Sequence, residues 1–412
     1  MSGNLKLASA GGGSVTVTTP STASNLTLTL PSATGTVATI AGTETLTNKT
    51  LVASGSNTVE ATSGPTSTQL AGIRNKIING AMMIDQRNAG ASVTPTADQT
   101  YTVDRWQMRL TQSSKFSVQQ NAGSVTPPAG FTKYLGITSL SSYSVGASDL
   151  FSIEQAIEGL NCSDLAWGTA SAATVTLSFW VRSSLTGTFG GSLLNSALNR
   201  SYPFSYSISS ANTWTQISVT IAGDTSGTWL TTNGAGILVT FGLGVGSSSS
   251  GTAGSWAGAQ YWSATGATSV VGTNGATWYV TGVQLEKGAT ATPFENRLYG
   301  TELALCQRYY WSGANGWAGV FNTASTARFS GSYPVEMRSA PTITAIAAPT
   351  ALNPTVSESQ TGSQTTGFSA PASGGSIGTT SASKIQFGGF SSGADGRPSV
   401  LTNSPLAFSS EL

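Results

Sequence analysis

Residues 173–184 read ATVTLSFWVRSS. Successive side chains of an extended chain point to opposite faces, so Val175, Leu177, Phe179 and Val181 share one side and Trp180 and Arg182 the other. A β-branched and aromatic run with period two is a half-buried strand. The same texture returns in YTVDRWQMRL (101–110), SKFSVQQ (114–120), FSIEQAIEGL (151–160), WTQISVTIAGD (214–224), AGILVTFGLGVG (235–246) and ATWYVTGVQLEKG (276–288), between turns of Gly, Ser and Asn. No amphipathic helical stretch intervenes. Residues 73–298 therefore read as a two-sheet β-sandwich of jelly-roll type.

The flanks differ in texture. Residues 1–72 alternate Thr or Ser with Val or Leu, as in TIAGTETLTNKTL (39–51), with too few and too small apolar groups to close a core within one chain. Such a segment either stays disordered or gains a core when identical copies wind together; the regular period of two favours the second and predicts an interwoven β shaft of three-fold symmetry. At about residue 73 the sequence IRNKIINGAMMIDQRNAG brings charge, methionine and a continuous apolar set. Beyond 298, NRLYGTELALCQRYYWSG places Leu298, Leu303 and Leu305 on a short helix before an aromatic strand, and reads as a hinge. A hairpin and further strands in 299–412, including SKIQFGGF and SPLAFSSEL, read as a small second β domain. The fold class is all-β throughout.

At 412 residues the chain exceeds the roughly 250–300 at which one core stops growing. Only 8% of residues are charged, against about 25% in ordinary globular proteins, so Ser and Thr keep the surface wet. With 18 basic and 17 acidic residues and no basic run, an electrostatic grip on nucleic acid has no source. Cys162 and Cys306, the only two cysteines, read as free and partly buried thiols. MSGNLKLASAGGG lacks a secretory apolar stretch, and no run approaches the about 18 apolar residues of a membrane span.

Histidine is absent, which removes Ser-His-Asp and Cys-His catalysis. GGSIG (374–378) matches a nucleophile elbow in letters alone, and no phosphate-binding GK[ST] occurs. A carboxylate pair is the surviving enzymatic option, because glycosidases need two acids roughly 5–9.5 Å apart. Glu154 and Glu158 would lie about 13 Å apart along one strand, on a polar face. Glu286 and Glu295 are the other nearby pair. The chain reads as a non-enzyme with no required cofactor.

AGTETLTNKTL resembles the N-terminal shaft motif of bacteriophage tail fibres. NKIINGAMMIDQRNAG, YTVDRW, IEGL, WGTASAATVTLSFWVRSS, VTGVQLEKGATATPFENR, ELALCQRYYW and the final SSEL are similar to a family of phage virion fibre proteins. The central part also resembles jelly-roll carbohydrate-binding modules. Asn79 and Gly80 match their opening strand, where Ala81 stands in place of an acid, and Leu285, Glu286, Gly288, Thr292, Pro293, Phe294 and Glu295 match their close. The resemblance implies a structural virion protein in the order shaft, sandwich, terminal β domain. It also implies a structural Ca²⁺ where the sandwich ends meet, near Asp85 and Glu295.

Sugar recognition needs aromatic faces with amides and hydroxyls beside them. The candidates are Trp256, Tyr261 and Trp262 in SWAGAQYWSATG; Trp180 with Arg182, exposed by alternation; and Tyr310, Trp311 and Trp317 in QRYYWSGANGW. The bland reading of each is core or subunit interface, since burying a large ring stabilises by a few kcal/mol. The expected function is a homotrimeric tail fibre and adhesin. It would be attached to other virion proteins through the N-terminal segment, bind host cell-surface polysaccharide, belong to the virion and assemble in the host cytoplasm. The alternatives are a purely structural neck, collar or capsid fibre and, more remotely, a glycan-cleaving depolymerase.

Overall fold

The computed structural model describes residues 5–8, 14–17, 74–313, 317–323, 326–345, 350–353, 358–360, 382–388, 398–403 and 406–412. The chain forms two compact units, Met1–Thr66 and Ser67–Leu412. In the first, β1 (Leu5–Ala8) pairs antiparallel with β2 (Ser14–Val17), Leu5 opposite Val17. The remainder of the shaft segment, TETLTNKTL included, lies outside the described residues, as does GGSIG.

The second unit is built on two antiparallel sheets. One has six strands in the order β10-β9-β12-β7-β4-β3. These are β3 (Thr100–Tyr101), β4 (Gln107–Leu110), β7 (Leu150–Glu158), β9 (Gly187–Leu194), β10 (Ser201–Ile208) and β12 (Ala235–Val245). The other has five in the order β11-β8-β15-β6-β5. These are β5 (Phe116–Gln120), β6 (Leu135–Ser139), β8 (Val175–Ser183), β11 (Thr215–Ile221) and β15 (Thr277–Lys287). The core lies between the sheets, where Phe241 and Phe204 of one meet Phe179 and Trp278 of the other. Phe241 sits 4.9 Å from Phe179, 5.6 Å from Trp278 and 6.0 Å from Phe204, ring centre to ring centre. Val175, Leu177, Phe179 and Val181 are all buried in this core, as their alternation predicts.

Strand β9 carries no clean period-two signal because glycines and a serine interrupt it, whereas β10 alternates Tyr202, Phe204, Tyr206 and Ile208, all in the core, with Ser and Pro on the other face. Gly190 of β9 and Gly242 of β12 permit close approach by the short parallel pair β13 (Ser250–Gly251) and β14 (Ser263–Ala264). A Cβ on Gly190 would come within 2.5 Å of Ser263 Oγ, and one on Gly242 within 2.6 Å.

The outer face of the six-stranded sheet is not a polar surface, which corrects the expectation for Glu154 and Glu158. All nine residues of β7 are buried. Leu150, Ala156, Leu194, Leu238 and Trp262 form a second apolar layer with Leu412 against it.

Residues 299–307 form α1 (Tyr299–Gln307), followed by β16 (Tyr310–Ser312). This stretch is an anchor and not the expected hinge: Cys306 and Tyr309 are fully buried beside Ile78 and Ile84. Arg308 forks onto Glu158 at 2.7 and 3.0 Å, and Tyr309 donates its hydroxyl to the same carboxylate at 2.6 Å. Beyond lie β17 (Ala318–Thr323), β18 (Thr326–Ser332), β19 (Thr342–Ala345), β20 (Thr350–Asn353), β21 (Glu358–Gln360), β22 (Ala382–Gly388), β23 (Pro398–Asn403) and β24 (Leu406–Ser409). They make a three-stranded sheet β16-β24-β19 and a six-stranded sheet β21-β20-β23-β17-β18-β22. Its small core joins Trp317, Phe329, Tyr333, Met337, Leu406 and Phe408. Glu411 then returns to the sandwich, pairing with Arg87 at 2.9 Å and with buried Arg105. Cys162 and Cys306 are free and buried. No helix among the described residues is long and apolar enough to cross a membrane.

Candidate functional site

The outer face of the five-stranded sheet carries the candidate site. Pairing register puts Trp180 of β8 opposite Gln216 of β11 on one side and Thr281 of β15 on the other. Trp180 and Arg182 are half-buried there, where alternation alone predicts full exposure, while Gln216 is exposed. The burial has a local cause. A register shift between Thr281 and Gln284 brings Gly282 to φ 62°, and a Cβ at that position would come 2.6 Å from the Phe131 ring and 3.2 Å from the Trp180 ring. The glycine therefore lets two aromatic rings flank the bulge. Phe131 in turn meets Phe294 edge-on at 5.1 Å. Arg182 donates Nε to the Asn212 carbonyl at 2.9 Å and lies 5.5 Å over the Tyr279 ring.

At the Phe131 end the face opens into a cavity of about 230 Å³ whose apolar wall is Phe131, Phe294, Met83 and Tyr299. It forms where the opening and closing motifs of the sandwich meet. Asn75 donates Nδ2 to the Val283 carbonyl at 3.1 Å and accepts from the Ile77 and Leu285 amides. Asn79 bridges Ile84 and Asp104, and Arg297 reaches the Ile77 and Asn75 carbonyls while pairing with Glu302 at 3.3 Å. These hydrogen bonds join the two ends, although Arg297 Nε is buried without a partner. The aromatic wall faces the cavity together with Thr132 and Asn296, with Tyr299 60% and Leu298 81% exposed nearby.

The other sequence candidates lie apart from this face, each packed against its own neighbours. Trp256 packs edge-on against Trp167, Trp229 and Tyr202 at 5.3, 5.4 and 5.1 Å and donates Nε1 to the Ala222 carbonyl. Tyr261 is half-buried with its ring against Gly251. Trp262 is 2% exposed beneath Arg109, which corrects its reading as part of an open polar loop. Tyr310 is buried under Arg87, whose guanidinium lies 3.6 Å from the ring centre. Trp311 stacks on Phe408 at 4.8 Å and Trp317 is buried beside it, so both build the second core.

Asp85 accepts from the Asn88 and Gly90 amides at 2.9 and 2.7 Å, closing a turn, and Glu295 accepts from the Asn75 amide at 2.6 Å. No group of three His, Cys, Asp or Glu side chains that could hold a metal occurs among the described residues.

The carboxylate pairs are occupied as well. Burial pushes Glu154 up to about 7, against the pull of Arg109 and Gln107. Burial acts in the same sense on Glu158, but hydrogen bonds from Arg308 and Tyr309 overcome it and hold that acid below the usual range. Glu286 accepts from Gln284 and from both the amide and hydroxyl of Thr292. Sequence reasoning missed Phe131, Gln216 and Tyr299. Phe294 stood inside the matched TPFE motif without being assigned a role.

No family model matches the chain, and no curated protein matches it. Among solved structures it is similar to the enzymatically active domain of bacteriophage CBA120 tailspike protein 4, at 11% identity and TM-score 0.27, over 50% of this chain and 22% of that one. It is also similar to a putative sugar-binding protein from Bacteroides thetaiotaomicron, at 12% identity and TM-score 0.29, over 52% of this chain and all of that one. A family 11 carbohydrate-binding module from Clostridium thermocellum, in complex with a mixed-linked tetrasaccharide, is similar at 11% identity and TM-score 0.26, over 50% of this chain and all of that one. At this identity and TM-score the likeness passes no function to this chain.

Proposed function

We propose that this chain is a glycan-binding fibre subunit of a bacteriophage virion, homotrimeric through its first 72 residues and attached through them to other virion proteins. The observation that carries the binding role is the half-buried Trp180, set beside exposed Gln216 and continued through Phe131 and Phe294 into an aromatic cavity. An indole face covers the apolar side of a pyranose, and a neighbouring amide meets its hydroxyls. The site is shallow, and a trimer compensates by avidity: contacts that are weak singly combine when three copies engage one surface. The depolymerase reading loses support because both candidate carboxylate pairs hold structure.

The test uses the full chain on an array of bacterial surface polysaccharides, with Trp180→Ala and Trp256→Phe as companions. The adhesin reading expects retention that Trp180→Ala abolishes and Trp256→Phe leaves intact. Light scattering of the full chain should give about three times 41.8 kDa; a monomer would remove the shaft argument. A purely structural appendage is the second reading. The exposed Met83, Leu298 and Tyr299 favour it, since a protein partner would cover them. It expects no retention on any glycan.

A further inference from the structure

Charge around Trp180 is one-sided. The sequence has no acidic residue between Asp104 and Asp149, between Asp164 and Asp224, or between Asp224 and Glu286. The five strands of the sheet therefore contain a single acid, Glu286. That carboxylate is 2% exposed for the residue as a whole and is engaged by Thr292 and Gln284. Two cations belong to the segments around Trp180. Arg182 follows Trp180 by two residues on the same strand face, about 6.6 Å along the chain. Lys133 belongs to the segment laid over the bulge, its carbonyl accepting from Thr281, the cross-strand neighbour of Trp180.

Arg182 also differs from most arginines of the sandwich. Arg87, Arg105, Arg109, Arg200, Arg297 and Arg308 each pair with a carboxylate. Arg182 spends Nε on a backbone carbonyl, and its two terminal nitrogens meet no acceptor among the described residues. A guanidinium with its fork free, beside an aromatic face and with no acid on its own or the adjoining strands other than the engaged Glu286, is complementary to a planar carboxylate; Glu295 and Glu302 of the adjoining cavity are held by the Asn75 amide and by Arg297.

We propose that this face takes an acidic saccharide: a uronate-type pyranose seated on Trp180, its carboxylate paired to the terminal nitrogens of Arg182, with Lys133 adding to the attracting field. This rests on the glycan-binding reading above and narrows its ligand class. A charge-assisted pair of this kind makes the acid form bind at least about tenfold tighter than its neutral counterpart.

The experiment measures binding of the full chain by tryptophan quenching. The probes are uronate-containing bacterial capsular polysaccharides, each native and after carboxyl reduction, with neutral capsular polysaccharides alongside. The expected result is at least tenfold tighter binding of the native polymer and a loss of that advantage at high salt. Arg182→Met should bring native and reduced polymers to the same value, and Arg182→Lys should restore part of the difference. Equal binding of native and reduced polymers, or binding of neutral polymers alone, overturns the acidic ligand and leaves the glycan reading standing. No binding of any polysaccharide by the folded chain overturns both.

Discussion

Gln107 and Glu154 face each other across the β4–β7 pair, and Gln107 donates Nε2 to Glu154 Oε1 inside the second apolar layer. The other carboxylate oxygen of Glu154 has no hydrogen bond and sees Arg109 at 3.7 Å. A buried acid so thinly supported prefers its proton.

The first prediction is a pH dependence. The folded state holds Glu154 at about 7 against an ordinary 4.5, and Asp104 at about 6 against 3.8, burial being the main cause of both shifts. Between the ordinary and the raised values the folded state binds more protons than the unfolded one, so stability falls as pH rises through that window. The thermal midpoint should therefore be higher at pH 5 than at pH 8. Glu154→Gln should flatten most of the difference; an unchanged slope in that variant would show that Glu154 is not its source.

A second prediction concerns the anchor between the sandwich and the C-terminal sheets. Glu158 is 1% exposed and holds Arg308 and Tyr309. Arg308→Met leaves that carboxylate without its cation, which should cost about 3–5 kcal/mol in urea unfolding. A true hinge would give a change near zero.

The closing residues should matter as much. Glu411→Ala removes the partner of Arg105, a guanidinium with 1% of its surface exposed. The expected loss is again about 3–5 kcal/mol, and Glu411→Gln should recover part of it by keeping the acceptor oxygen.

Gly80 is held where the ends of the sandwich join, with the Val283 amide donating to its carbonyl at 3.0 Å. A Cβ there would collide with the Val283 carbonyl oxygen, a backbone group that cannot swing aside. Gly80→Ala should destabilise by roughly 2 kcal/mol or more and lower binding at the adjoining cavity.

In the core, Phe241→Ala should cost about 3–5 kcal/mol by calorimetry, because its ring touches those of Trp106, Phe179, Phe204 and Trp278.

The all-β class and most strands were legible because period-two alternation is a local property of the chain. Residues 173–184 show it, with β8 running Val175–Ser183 and its odd positions in the core. Strand β9 was not legible, because its glycines answer to a close-packed neighbouring segment and not to an alternating face; β6 is too short to show the period, and β10 carries it in Tyr202, Phe204, Tyr206 and Ile208, a signal that sequence reasoning missed.

Alternation assigns each side chain to one of two faces and nothing more. It placed Trp180 and Arg182 on the outer face, while pairing register, the Gly282 bulge and the arrival of Phe131 decided that this face is half-covered and aromatic. It placed Glu154 and Glu158 on the face opposite the core, but a second layer that draws in residues as distant as Trp262, Arg308 and Leu412 decided that this face too is dry. Trp262, Trp311 and Trp317 look alike as letters to any surface aromatic, and their burial depends on what packs over them. The sequence by itself thus determined the strands and the inner face of each. Which outer faces stay open to a ligand was decided only by tertiary packing, because burial is a sum over neighbours that the linear order does not contain.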